Sequence, residues 1–412
     1  MTPPAPPPRR SDRFWLSLIL AVGLLMRGVA LLALPHEPES DELSYRCMAL
    51  NLVSGNEVVD TMGNRAMYNV GYPLFVLAPA FYLAADDLLG ARIANQILGG
   101  TAILLCYAVA KAAGAGRLGG LLAAAIWALH LPASVYGVYL AKEHLMIPLM
   151  LGVFWCALRL SRQPSRSVAI GCGVLFGLLA LTGNAALSLA GAVALALLFT
   201  PAPLRQRGAL ALWILVSAVA VTAPWMARNA RVLGAPVLNT NGGFNLYLGN
   251  NPAATGWFVS IADTPRGETW EELRKTGEIE ASQTLKEEAI SWARERPAEF
   301  LTLALKKAAY FWMPPLHRGK SNPSRVEALV RILWGVQFVA VALAAAAGVC
   351  LAGLRTRPVA ILWTALACYT AVHMLFYVIL RYREPIMPVL AVLAALTLES
   401  LVLKATRPRG AG

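Results

Sequence analysis

The chain has 412 residues, of which 57% are hydrophobic and only 14% charged, with a net charge of +13. Its apolar residues come in about ten runs near the roughly 20 residues that a bilayer-crossing helix needs, which excludes a soluble globular domain. The positive charge does not mark a nucleic-acid binder, because the basic residues sit mostly in short loops between the runs, the pattern of orientation signals.

Residues 1–13 form a Pro-rich basic tail with Arg9, Arg10 and Arg13. A first span is expected over 14–34. It is too long for a signal-peptide core and lacks a small-residue cleavage site, so it reads as retained, with the tail inside. Arg27 lies in its outer half. An intramembrane charge is a functional candidate by default; snorkelling to the outer headgroups is the alternative.

Glu39-Ser40-Asp41-Glu42-Leu43-Ser44-Tyr45 then sets three carboxylates just beyond the membrane. The spacing of Leu43, Met48, Leu50 and Leu52 predicts an amphipathic surface helix that closes at Ser54-Gly55, with Asp41 and Glu42 in its first turn. Partial burial there would raise a carboxylate's pKa and make it a better base; a solvated acidic pair is the bland alternative. This first outer loop runs over 35–91. Its apolar stretch 72–89 is read as an interfacial helix, because it holds Pro73 and Pro79 and meets Asp86-Asp87.

Further spans are expected near 92–110, 118–136, 143–160, 167–183, 185–200, 208–226, 326–354, 358–379 and 385–404. The inner loops between them carry Lys111 and Arg117, then Arg159, Arg162 and Arg166, then Arg205 and Arg207, then Arg355 and Arg357, with no acidic residue. The positive-inside bias is thereby satisfied with both termini cytoplasmic. Residues 227–325 leave the membrane as a turn-rich segment followed by mixed-charge helices, whose Trp292, Phe300, Tyr310 and Trp312 suit packing on the membrane part. The organisation is a membrane module over 1–226, an extracytoplasmic region over 227–325, and C-terminal helices with a basic tail over 326–412. No two halves with matching Gly/Pro-broken spans point to a secondary transporter. Five of the six cysteines fall in predicted spans and only Cys47 lies outside, so no intramolecular disulfide can staple the outer loops. No Cys or His cluster has zinc spacing.

Two further clusters fall on the outer side. Lys142-Glu143-His144 opens an inward-running span, which puts Glu143 on the surface that carries Asp41. Arg381-Tyr382-Arg383-Glu384-Pro385 precedes the last span, and its arginines run against the charge trend. Guanidinium forks match the oxygens of a lipid-linked phosphate; anionic headgroups or Glu384 are the alternative partners. His36, His130, His317 and His373 are scattered and receive no role.

Asp41-Glu42 after the first span, Gly71-Tyr72-Pro73, an acidic residue opening the fourth span and Arg381-Tyr382-Arg383-x-Pro385 together resemble the GT-C superfamily. The block Pro224-Trp225-x-x-Arg228-Asn229, then Gly234, then the Asn- and Gly-rich stretch from Asn241 through Asn245 and Asn250 to Pro252, is similar to bacterial glycosyltransferases of the family 39 type. These are relatives of protein O-mannosyltransferases and lipid A aminoarabinose transferases. The likeness covers nearly the whole chain through the order and shared placement of motifs that are each weak alone.

The resemblance implies an all-α polytopic membrane protein, a GT-C-like bundle of about ten transmembrane helices with outer interfacial helices and a long outer loop. It implies a bacterial inner membrane, an active site on the periplasmic face, and inverting transfer of a hexosyl or pentosyl group from a polyprenyl-phosphate-linked donor to a lipid, glycan or protein acceptor. Carried over by position, Asp41 matches the catalytic base, Glu143 the second acidic site, and Arg381 and Arg383 the basic phosphate site, with Tyr382 between them. Glu42 is the neighbouring catalytic candidate, and Tyr45, Tyr72, Lys142, His144, Asn241, Asn245 and Asn250 are candidate substrate contacts. One departure is that relatives often carry a basic residue where this chain has Thr182-Gly183-Asn184. Either Arg65 or Arg228 supplies that charge, or the substrate site differs. No cofactor is required; a divalent cation shared by Asp41 and Glu143 stays open. Membrane lipids are expected partners and nucleic acid is not. A transporter or flippase is the alternative class, since it would also bury charges among many spans and would keep transport without Asp41 as a base. A non-catalytic assembly protein would tolerate changes at both Asp41 and Arg383.

Overall fold

A computed structural model describes residues 11–84, 87–315 and 325–406. The described residues are helical, with no strand beyond one isolated bridge between Trp257 and Val378. The N-terminal part contains α1 (Asp12–Ala33), α2 (Asp41–Val53), α3 (Ala78–Leu83), α4 (Asp87–Ala113), α5 (Arg117–Ala128), α6 (Leu131–Val135) and α7 (Glu143–Leu160). It continues with α8 (Arg166–Thr182), α9 (Ala190–Phe199) and α10 (Leu204–Leu233). A further group of helices follows: α11 (Asn241–Gly249), α12 (Trp270–Lys275), α13 (Glu278–Glu295) and α14 (Pro297–Trp312). The last three helices are α15 (Arg325–Ala347), α16 (Arg357–Leu375) and α17 (Met387–Ala405).

Seven of these helices are long and apolar enough to cross a membrane, or eight if α5 and the bent segment after it count as one span. The expected segments near 167–183 and 185–200 are helical but shorter. The bend after α5 is 54°. It falls just before Pro132, which cannot donate to a continuing helical ladder. Before α3, Pro73–Leu77 forms a π-helical turn, closed by Ala78 N–H donating to the Pro73 carbonyl. Pro79 lacks the N–H that would have continued the ordinary ladder. This broken helix occupies the stretch read as interfacial, and α4 begins at Asp87, five residues before the expected span. Asp86 lies outside the described residues.

Packing in the bundle relies on small residues. Gly173 and Gly177 lie one turn apart on α8 and face α10. A Cβ at Gly173 would come within 2.3 Å of the Ile214 carbonyl oxygen, and one at Gly177 within 2.5 Å of Val221 Cβ. This is the close backbone approach that small-xxx-small spacing permits. The other end of the bundle is tied by Glu399 of α17, whose carboxylate accepts the Gly116 and Gly119 N–H groups, each at 2.8 Å. A carboxylate there also meets the positive end of α5.

The group α11 to α14 and its loops are tied to the rest of the chain through the Gly256 carbonyl and Asn250, each held by a contact within the group. Trp257 stacks on Tyr310 with ring centroids 4.6 Å apart, and Val378 N–H donates to the Gly256 carbonyl at 2.9 Å. Asn250 donates to the Leu375 carbonyl at 2.7 Å and accepts from the fully buried Lys307 ammonium at 2.9 Å.

The helix expected after Ser40 is present as α2, but its buried face differs from the one read off the apolar spacing. Leu43 and Leu50 are exposed, whereas Glu42, Tyr45, Met48 and Ala49 face inward. The local apolar pattern cannot see the polar partners that the rest of the chain brings to Glu42.

Candidate functional site

Asp41 starts α2 directly after Ser40, the one non-glycine residue with positive φ (51°) among the described residues. Such a backbone costs about 1–3 kcal/mol, and observed outliers of this kind cluster at functional sites. The strained entry turns the first helical residue towards the segment before α17. There Arg381 Nη2 donates to Asp41 Oδ2 at 3.1 Å. The Arg381 Nε lies 3.3 Å from Glu143 Oε1, close enough for ion pairing but without hydrogen-bond geometry. A single guanidinium therefore bridges the two carboxylates that the sequence placed on one surface. Asp41 keeps 37% of its side chain exposed, while Glu143 keeps 7%.

The other Asp41 oxygen accepts the Tyr68 hydroxyl at 3.1 Å. Burial, then the Asp41 charge, pushes the Tyr68 hydroxyl well above its ordinary pKa. Burial, then the charges of Asp41 and Glu143, does the same for Tyr45. Both phenols therefore stay protonated, and Tyr68 is a fixed donor to Asp41.

Glu143 and Lys142 line a cavity of about 190 Å³, far larger than the roughly 30 Å³ share of one liquid water. Asn241 and Asn245 of α11 close one side, Gly183 and Asn184 another, and Tyr377, Tyr382 and His373 supply aromatic faces. Lys142 has no hydrogen-bonding or ion-pair partner for its ammonium among the described residues. It thus places an available cation beside the Gly183-Asn184 position where a basic residue was missing. A second groove, of about 180 Å³, opens on the Tyr68 side of Asp41 and is lined by Met62, Asn64, Phe244, Trp270 and Arg274 among others. Asp41 lines neither space itself; it is linked to the first through Arg381 and Glu143 and to the second through Tyr68.

Other candidates are occupied elsewhere. Glu42 is buried, pairing with His36 Nε2 at 2.7 Å and accepting the Leu140 N–H at 2.8 Å, so it clamps the loops around the site. Arg383 is 1% exposed, with its guanidinium 3.8 Å from the Phe338 ring centroid and donating to the Phe311 and Met313 carbonyls. The two arginines stand two residues apart on a tight 3₁₀ turn, which sends them in different directions. Arg65 is exposed and pairs with Glu57 at 2.6 Å, and Arg228 donates to the carbonyls of Arg65 and Val58. Neither of these lines the cavity. Tyr72 is buried against Asn95 at 2.9 Å, and Tyr45 sits edge-on to both Tyr68 and Tyr72. The His144 ring bonds the Tyr136 carbonyl, and Asn250 serves as the tether described above.

The residue-by-residue reading missed Tyr68, Asn184, Tyr377 and His373. Tyr68 stands just before Gly71-Tyr72-Pro73, so its motif offered a weak signal; the others show none locally. His36 and His130 also acquire partners, His130 with Glu384 at 2.8 Å. His317 lies outside the described residues. Among the described residues no group of three or more His, Cys, Asp or Glu side chains could hold a metal ion. The Arg381 guanidinium takes the place from which a divalent cation would reach both Asp41 and Glu143, so the residues present do not fit a shared metal there.

No protein-family model matches the chain, and no curated protein matches it significantly. Solved structures do. The apo oligosaccharyltransferase of Archaeoglobus fulgidus superposes with a TM-score of 0.54 at 14% identity, covering 96% of this chain and 51% of that one. The oligosaccharyltransferase AglB from the same organism, in complex with an inhibitory peptide and a dolichol-phosphate, gives 0.53 at 13% identity over 97% and 53%. ArnT from Cupriavidus metallidurans, bound to undecaprenyl phosphate, gives 0.46 at 17% identity over 96% and 80%. The chain has the fold of the GT-C superfamily glycosyltransferases. It spans about half the length of the oligosaccharyltransferases it matches.

Proposed function

We propose that the protein is an inverting glycosyltransferase that moves a sugar from a polyprenyl-phosphate donor to a hydroxyl acceptor at the outer face of a bacterial inner membrane. The observation that carries this reading is the Asp41–Arg381–Glu143 chain, linked through Glu143 to the cavity with Lys142 and through the Tyr68 contact of Asp41 to the groove. The sugar lies in the cavity, with its phosphate against the Lys142 ammonium. The acceptor enters by the groove, and its oxygen attacks the anomeric carbon as Asp41 takes the hydroxyl proton. The bond from that carbon to the phosphate oxygen breaks, and the electron pair leaves with the lipid phosphate. Attack and departure on opposite sides of one carbon invert it. The Tyr68 and Arg381 contacts hold the carboxylate in place. The dolichol-phosphate in one fold relative agrees with such a donor.

The test uses purified protein in proteoliposomes and a panel of polyprenyl-phosphate hexoses and pentoses, scored by release of polyprenyl phosphate. Asp41→Asn keeps the shape of the side chain but cannot take a proton at neutral pH. It is expected to fold, bind undecaprenyl phosphate and turn over at least about 10²-fold more slowly. Undiminished transfer by folded Asp41→Asn would sink the assignment of the base.

A further inference from the structure

Behind the Asp41–Arg381–Glu143 chain lies a second, smaller cavity of about 30 Å³, walled by residues that include Arg27, Gln96, Trp127, Glu143 and Glu384. Arg27 reaches it from the middle of α1 and is 2% exposed. Its Nη1 donates to the Gly23 and Ala128 carbonyls at 3.0 and 3.1 Å, whereas its Nε and Nη2 have no partner among the described residues. The same holds for both polar atoms of the Gln96 amide, for Trp127 Nε1, for Glu143 Oε2 and for Glu384 Oε1. Buried polar atoms rarely stay unpaired in a folded protein. An anion would meet the Glu143 and Glu384 oxygens, and a cation would meet Arg27. Water, which both donates and accepts, suits the whole set. At roughly 10–15 Å³ for each molecule, the space takes about two.

We propose that Arg27 is a positioning residue that acts on Glu143 through water held in this cavity. The proposal rests on the reading of Asp41, Arg381 and Glu143 as the active centre. The bridge fixes Oε2, the free oxygen of Glu143, and so leaves Oε1 facing Arg381. Arg381 in turn stays aimed at Asp41. Arg27 is thereby neither a snorkelling residue nor a substrate contact.

Three variants test this: Arg27→Gln, Gln96→Leu and Gly99→Ala. The last adds a methyl 3.0 Å from Arg27 Nε on a helix that tolerates alanine, so it disturbs the cavity even if the first fails to fold. Each is expected to lower kcat about tenfold, the worth of one well-placed hydrogen bond, with donor KM near wild type; the thermal midpoint stays near wild type in Gln96→Leu and Gly99→Ala and falls in Arg27→Gln, which gives up two buried carbonyl contacts. Each effect should vanish in a Glu143→Gln background, because groups acting through one another are not additive. Factors that multiply in the double variants, or wild-type kcat in folded Arg27→Gln and Gly99→Ala, would overturn the proposal. An infrared arm does not need turnover. The Glu143 carboxylate band, identified by its loss in Glu143→Gln, should shift in Gly99→Ala, and an unmoved band overturns the proposal. If the wild type transfers no sugar, the glycosyltransferase reading fails while the infrared arm still decides the role of Arg27.

Discussion

Arg381 and Arg383 stand two residues apart and do different work. Arg381 joins two carboxylates, one of which lines the Lys142 cavity, while Arg383 is sealed against Phe338 and two carbonyl groups. Arg383→Ala is therefore expected to lower stability by roughly 1.5–3 kcal/mol, the range for hydrogen bonds from a charged group, with donor KM unchanged in the folded fraction. Thermal unfolding in detergent beside donor kinetics checks this; a normal midpoint with a raised KM would return Arg383 to the phosphate site. Lys307 offers a pH-dependent counterpart. Burial holds its ammonium at about 8, below the usual 10.5. Between those values the unfolded chain carries one proton more than the folded one, so stability rises with pH across the window and is lost as pH falls through it. Lys307→Met, keeping the volume without the charge, should flatten the rise in thermal midpoint between pH 8 and 10. A slope as steep in the variant as in the wild type would assign it to another group.

At the scale of elements, α11 matters because it presents Asn241 and Asn245 to the cavity while its other side packs on α13. Gly243 makes that contact possible: a Cβ there would lie 1.7 Å from the Ser282 carbonyl oxygen. Backbone cannot yield as a flexible side chain does, so Gly243→Ala must push the two helices apart. Overpacking of this kind costs typically about 1–3 kcal/mol. The expected outcome is a lowered thermal midpoint together with weakened donor use, because the asparagines move with the helix. Gly171→Ala, where nothing lies within 4 Å, serves as the matched control and should leave both unchanged or slightly improved. Equal behaviour of the two variants would show that α11 and α13 do not pack this closely. Glu278, at the start of α13, adds a clamp by accepting the N–H groups of Arg65 and Ala66 and the Thr240 hydroxyl.

At the scale of the whole molecule, the site demands that α2, the start of α7, α11 to α14 and the turn before α17 share one side of the membrane. Single cysteines at exposed Thr61 and Lys275, in a Cys47→Ser, Cys350→Ser background that removes the half-buried outer thiol and the exposed one, should react with an impermeant reagent in intact cells. Cysteines at exposed Gln163 and Thr356 should react only after permeabilisation. Outside labelling at Gln163 would mean that the broken helix before α4 crosses the membrane and that the orientation reverses from there on.

Much of this was legible in the sequence because apolar runs and basic loops are local signals. A helix that must satisfy its own backbone in lipid announces itself by length and composition. The strained start of α2 followed a readable Ser-Asp-Glu entry, and Asp41, Glu143 and Arg381 could be assigned to one face from span counting alone. Which of several charged residues meet there was not legible. Glu42 and Arg383 look as suitable as their neighbours in the sequence, yet Glu42 is buried against nearby His36 and distant Leu140, and Arg383 against Phe311, Met313 and Phe338 from distant parts of the chain. Lys142 and Asn184, 42 positions apart, meet in one cavity, and Arg27 reaches the back of the site from the first helix. The sequence by itself determined the membrane class and grouped Asp41, Glu143 and Arg381 as candidates for one site. Only the tertiary structure decided the roles, because a buried charge is defined by partners that no local pattern contains.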